Sequence, residues 1–161
     1  MKHAAELPAP RRVRALFGNT PVIRLRRVVT DGSAQVFVKL EYFNPTGSYK
    51  DRMAKSIIEE AERRGDLKLG TKVGEASGGS TGSSLAFACA VKGYQLMVAS
   101  SNAFAMEKLR TMRSFGATVD LIRSSSCEIS ADLIPSIIRH AEEVCAQSDS
   151  IIRTSLTTAT P

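Results

Sequence analysis

From residue 72 to residue 146 the chain alternates short apolar runs with longer stretches in which apolar positions return every three or four residues. That alternation predicts strands over 72–76, 95–99 and 118–122, and helices over 81–92, 105–115 and 130–146. Strands joined by helices of this length connect through right-handed crossovers, so the fold class is α/β, a parallel sheet with flanking helices. Upstream the pattern differs. Val22-Ile23-Arg24-Leu25 and Val36-Phe37-Val38-Lys39-Leu40 are strand-like runs on either side of an Asp31-Gly32 turn signal, and they predict a pair of adjoining strands. Two strands alone are marginal and call for a larger sheet. Between the two regions, Met53, Ala54, Ile57, Ile58 and Ala61 mark an amphipathic helix. Ser48 is placed to cap its start, and Arg63, Arg64 and Gly65 close it with cations and a permissive residue at the negative end.

With 161 residues, 43% hydrophobic and 24% charged, the chain suffices for one sizeable core and has ordinary globular composition. A net charge of +6 suits an anionic ligand or nucleic acid, but the basic residues are interspersed with acids. Aromatic content of 6% and no Trp leave few platforms for stacking bases, so nucleic acid is not the expected partner. Cys89, Cys127 and Cys145 are far apart and lack metal-ligand spacing, so no metal is expected and the thiols read as idle in a reducing compartment. Residues 1–17 read as a basic, proline-bearing arm without an apolar signal core, and no window approaches a membrane span. The reading is a soluble cytoplasmic protein.

Two stretches carry candidate chemistry. Asn44-Pro45-Thr46-Gly47-Ser48-Tyr49-Lys50-Asp51-Arg52 sets Lys50 in the first turn of the amphipathic helix. There the helix dipole favours the neutral amine, the form that adds to a carbonyl and gives a Schiff base. Taken alone, this lysine reads better as a surface cation whose stem covers the strand end. The second stretch is Ser77-Gly78-Gly79-Ser80-Thr81-Gly82, between a predicted strand and a predicted helix. Its glycines let backbone N–H groups approach a ligand, its hydroxyls donate, and the helix start adds its dipole, which makes an anion or carboxylate cradle. It has neither the Gly-x-Gly-x-x-Gly spacing of dinucleotide folds nor the Gly-Lys-Ser/Thr of a P-loop. A plain βα turn is the alternative.

Together with Gly18-Asn19-Thr20-Pro21, Lys92-Gly93-Tyr94, Glu107-Lys108-Leu109-Arg110 and Phe115-Gly116-Ala117, these stretches resemble the cysteine synthase and cystathionine β-synthase family. Its members are pyridoxal-phosphate enzymes of the tryptophan-synthase-β fold, known as fold type II, and the likeness runs from about Phe17 to Ile122. The resemblance implies pyridoxal 5'-phosphate as cofactor and Lys50 as the lysine that forms the Schiff base and then moves protons. It implies that Ser77, Gly78, Gly79, Ser80 and Thr81 grip the α-carboxylate of an amino-acid substrate. Ser80 stands where the family has an Asn that contacts the cofactor, while Ser77 and Gly78 replace Thr and Ser. The reaction implied is β-replacement on a serine derivative of the O-acetylserine type, giving cysteine or a related amino acid, by an enzyme that forms homodimers when intact.

On the same resemblance, 1–43 comprise an arm and two strands of a larger domain, 44–150 the small parallel α/β domain, and 151–161 an aberrant tail. The family's glycine-rich phosphate loop and the residue facing the pyridine nitrogen have no counterpart here, which predicts weak hold on the cofactor and an uncovered pair of strands. A non-catalytic remnant or interaction module is the competing expectation. For the tail, one back-translation read in a shifted frame gives Gln-Phe-Asn-Asn, a family segment that helps bind the carboxylate. A frameshift near Ser150 is therefore expected, and the nucleotide sequence decides it.

Overall fold

The computed structural model describes residues 16–152 apart from 69, 125, 126, 148 and 149, and only the backbone of 150–152. Strands β1 (Val22–Arg24) and β2 (Phe37–Lys39) pair antiparallel, with Ile23 opposite Val38. A short 3-10 helix, Glu41–Phe43, leads into helix α1 (Lys50–Arg64). Then follow β3 (Lys72–Ala76), α2 (Ser80–Lys92), β4 (Gln95–Ser101), α3 (Met106–Ser114), β5 (Thr118–Ile122), α4 (Leu133–Ala146) and β6 (Ser150–Ile152). The main sheet is parallel throughout, in the order β5-β4-β3-β6. This is the alternation predicted, with one added strand at the β3 edge.

Helices cover both faces of that sheet, as a parallel sheet requires. Alternate residues of β4 separate the two cores. Leu96 and Val98 pack with Ala54, Ile58, Leu85, Cys89 and Met112 of α1, α2 and α3, whereas Ala99 packs with Leu133, Ile137 and Ala141 of α4. The Cys89 thiol is pushed up to about 12 by burial, so it stays protonated and inert. Cys145 is buried as well and Cys127 is exposed, and all three are free.

Three sequence readings are corrected in detail. The N-cap of α1 is Tyr49 and carries no side-chain cap bond; Ser48, one residue earlier, accepts the Lys50 N–H at 3.1 Å through Oγ. Strand β4 runs two residues further than predicted, because Ser100 and Ser101 are buried and pair with Leu121 and Ile122. Helix α4 starts at Leu133, not residue 130. A start at 130 would place Pro135 in the helix interior, where its missing N–H would leave a carbonyl unbonded; from Leu133 it falls within the first turn.

The β1–β2 pair lies apart from these cores. All six of its residues are exposed, including Val22 at 55% and Phe37 at 58%, so neither face of the ribbon is covered. Among the described residues no third strand joins it. Most of the 151–161 tail falls outside the described residues; 150–152 run parallel to β3, with Ser150 opposite Lys72.

Candidate functional site

The ribbon is tied to the start of α1 by polar contacts, and these account for two of the sequence motifs. Glu41 accepts a bidentate pair from Arg52, Nε to Oε2 at 2.8 Å and Nη2 to Oε1 at 2.9 Å. Thr20 donates to Glu41 Oε1 at 2.7 Å and accepts from Arg52 Nη2 at 3.0 Å. Asn44 donates to the Glu41 carbonyl at 2.7 Å and receives the Gly18 N–H at 2.9 Å, while Lys39 Nζ reaches the Thr20 carbonyl at 2.9 Å. Gly18 sits at φ +80°, and a Cβ there would lie 2.7 Å from Arg52 Nη1. Only glycine suits both constraints. Gly18-Asn19-Thr20-Pro21 and the Asn44–Arg52 stretch are thus two halves of one clamp.

The Arg52 and Thr20 donors hold the Glu41 carboxyl down from 4.5 to about 2 against the opposing effect of partial desolvation. A depressed folded-state value contributes stability that is complete above the unfolded value and is lost as pH falls through the folded one. The stability margin of the chain over its Glu41→Gln variant is therefore expected to be constant above about pH 4.5 and to vanish toward pH 2. Thermal melts of the two proteins across that range check it, and a margin that does not change with pH rejects the clamp as described.

A second set of bonds fixes the turn before α1. Asp51 is buried and accepts the Thr46 N–H at 2.8 Å and the Thr46 hydroxyl at 2.5 Å. Thr46 Oγ1 lies 3.2 Å from Ser84 Oγ. Since the Thr46 proton faces the carboxylate, Ser84 is the donor, and the chain Ser84–Thr46–Asp51 links α2 to the head of α1.

Lys50 is the first residue of α1 and is half-buried, its Nζ 5.0 Å from the centre of the Tyr49 ring. Among the described residues its ammonium has no ion-pair partner. Ser77 follows the last residue of β3, Gly78 and Gly79 form the turn, and Ser80 and Thr81 open α2. Lys50 and all five residues of that loop line one cavity of about 290 Å³ at the carboxyl end of the parallel strands. Every predicted site residue is thereby brought to one place.

Within the loop, Ser77 Oγ accepts the Gly82 N–H at 2.9 Å and the Gly79 N–H at 3.3 Å, which holds the turn open over the helix start. The first N–H groups of a helix have no partner inside it. Among the described residues nothing accepts from the N–H groups of Ser80 and Thr81. These donors, at the positive end of α2, suit a carboxylate. The rest of the lining was not foreseen: Phe104 from the loop after β4, and Ile134, Ile137 and Ile138 from α4. The isoleucines have helical spacing, but nothing local distinguishes a pocket wall from a core stripe.

The family described as pyridoxal-phosphate dependent enzyme matches residues 13–157. A cysteine synthase of Staphylococcus aureus is 44% identical over 110 residues, which cover 68% of this chain and 36% of that protein. Among solved structures, a hydrogen sulfide-producing enzyme from Fusobacterium nucleatum is 34% identical with a TM-score of 0.75, over 87% of this chain and 45% of that one. O-acetylserine sulfhydrylase isoform 3 from Entamoeba histolytica is 28% identical with a TM-score of 0.75, over 94% and 45% respectively. The chain therefore spans less than half the length of the relatives it matches. Within the described residues no helix is long and apolar enough to cross a membrane.

Proposed function

Because the chain belongs to the pyridoxal-phosphate dependent enzyme family, we propose that its cavity is the amino-acid and cofactor site of a cysteine-synthase-like enzyme, in which Lys50 is the Schiff-base lysine. One observation carries this reading. The lysine and the Ser77–Thr81 loop come from separate elements, each at a helix start, and line the same cavity. A helix-start lysine alone has many uses; one facing a carboxylate cradle has the two contacts that an amino acid bound to a carbonyl cofactor needs.

The residues present fit the group in part. Lys50 would supply the amine, and Ser80 could donate to the cofactor's 3′-oxygen, a substituent on its pyridine ring. When bound, pyridoxal 5'-phosphate acts as an electron sink for charge that develops at the substrate α-carbon. The chain's own residues do the rest. Ser80 and Thr81 N–H groups orient the α-carboxylate, and Lys50 Nζ removes the α-proton and returns one later in the cycle. The Glu41–Arg52 clamp and the Asp51–Thr46 bonds hold that amine at the cavity mouth. With the whole enzyme, the reaction is β-replacement on a serine derivative, in which a leaving group at the β-carbon gives way to a sulfur nucleophile.

The relatives' greater length and the uncovered β1–β2 ribbon support placing residues 1–43 with a second, larger domain and 44–150 with the small domain. The same ribbon favours a second reading, an interaction module in which the site is idle. Titration with pyridoxal 5'-phosphate separates the two. Imine absorbance that borohydride converts to a stable mass increment on Lys50 supports the enzyme reading; no increment at saturating cofactor supports the module.

A further inference from the structure

The cavity has an apolar wall to which the loop chemistry gives no role. Phe104 is half-buried and, like Ile138, packs against the buried cluster that includes Ala76, Ala99 and Ile137 on the α4 face of the sheet. Ile134 and Ile138 lie one turn apart on α4 and extend the same lining. Gly78 is what admits the ring. A Cβ built there would meet three atoms of Phe104 closer than non-bonded atoms approach, so positions 78 and 104 are a matched pair. The ring occupies the volume that a side chain at 78 would need. In the family pattern that side chain is a serine; here a hydroxyl is replaced by hydrocarbon.

We propose that Phe104, with Ile134 and Ile138, sets substrate choice, and that the pocket prefers amino acids whose β-substituent is apolar, of the aryl or alkyl thioether class, over those bearing a hydroxyl or a charge. This rests on the reading that the Ser77–Thr81 loop holds the α-carboxylate. With that end fixed and the α-carbon near Lys50, the substituent is left against Phe104, Ile134 and Ile138. A hydroxyl or charge placed there loses water and finds no partner, whereas an apolar group gains by leaving water. A few polar groups for orientation and hydrocarbon elsewhere is the usual division of labour in a small-molecule site.

The test is isothermal titration of S-phenyl-L-cysteine and L-serine into the full chain carrying Lys50→Ala, which forms no imine, so the preference is read apart from cofactor attachment. S-phenyl-L-cysteine is expected to bind at least about tenfold more tightly. Phe104→Ala should bring the ratio toward one and Phe104→Met should keep most of it. Ile138→Thr, which puts a hydroxyl on the wall and shortens the side chain by one heavy atom, should narrow it. Equal affinities, no binding of either amino acid, or a ratio unchanged by Phe104→Ala overturns the proposal. If 2-(phenylthio)ethylamine, which lacks the carboxylate, binds as well as S-phenyl-L-cysteine, the loop reading falls while the wall stands. Absence of an imine at Lys50 in the unmodified chain, with the preference intact, overturns the role of Lys50 alone.

Discussion

Lys50→Ala is expected to abolish imine formation with pyridoxal 5'-phosphate completely. Lys50 is the lysine among the cavity's lining residues. Two other amines are committed elsewhere: Lys39 Nζ donates to the Thr20 carbonyl at 2.9 Å, and Lys92 Nζ, at the far end of α2 from the cavity, is held by Glu62 at 2.6 Å. Lys50→Arg should fail equally, because a guanidinium keeps its charge and is no nucleophile. Lys92→Ala should leave the imine signal intact. In the enzyme of full family length, loss of the proton carrier should lower turnover by at least about 10²-fold. The measurement is absorbance after cofactor addition, then borohydride reduction and peptide mass mapping. A stable increment that persists in Lys50→Ala, or maps to another lysine, rejects the assignment.

Asp51→Ala should produce the largest loss of stability tied to the site. Asp51 is fully buried and holds both the N–H and the hydroxyl of Thr46. Truncation leaves a desolvated N–H without its acceptor and frees the Ser84–Thr46 link between α2 and the head of α1. Removing one partner of a buried hydrogen bond costs about 1–3 kcal/mol. In urea this should appear as a lower midpoint with an unchanged slope. Asp51→Asn keeps an acceptor oxygen and should lose less. Since the turn at 45–48 sets where α1 begins, Asp51→Ala should also weaken imine formation at Lys50. A stability change under about 0.5 kcal/mol, the usual scatter for surface positions, would remove Asp51 from this role.

The parallel α/β region was legible because its elements carry strong local signals. Apolar runs of strand length alternate with helical spacing, and Arg63, Arg64 and Gly65 end α1 as expected, with Gly65 at φ +79°. Boundaries slipped where a distant partner decided them. Ser100 and Ser101 read as loop residues, yet pairing with β5 draws them into the sheet and buries them. Ser48 has the chemistry of a cap, but the turn geometry puts Tyr49 at that position and leaves Ser48 to receive the Lys50 N–H.

Of the site, the residues that must be a particular chemical type could be read in advance. Lys50 as an amine at a helix start, and Ser77 to Thr81 as a glycine and hydroxyl loop between a strand and a helix, follow from spacing; reading the two together as a site comes from the family resemblance. Phe104, Ile134 and Ile138 could not be recognised, since an apolar residue on a pocket wall and one in a core share every local property. Their role depends on which surface stays open after the sheet and α4 have packed.

The linear chain, then, determined the order of strands and helices, the helix start at Lys50 and the composition of the carboxylate cradle, because dihedral preferences, capping and periodicity act over a few residues. Tertiary structure alone decided that Lys50 and Ser77 to Thr81 share one cavity, that Glu41 and Asp51 hold them in register, and that Phe104 fills the volume Gly78 leaves. Those outcomes depend on contacts between residues 11 to 32 positions apart in the clamp and 26 apart at Gly78 and Phe104. Only packing of the whole parallel sheet brings such groups together.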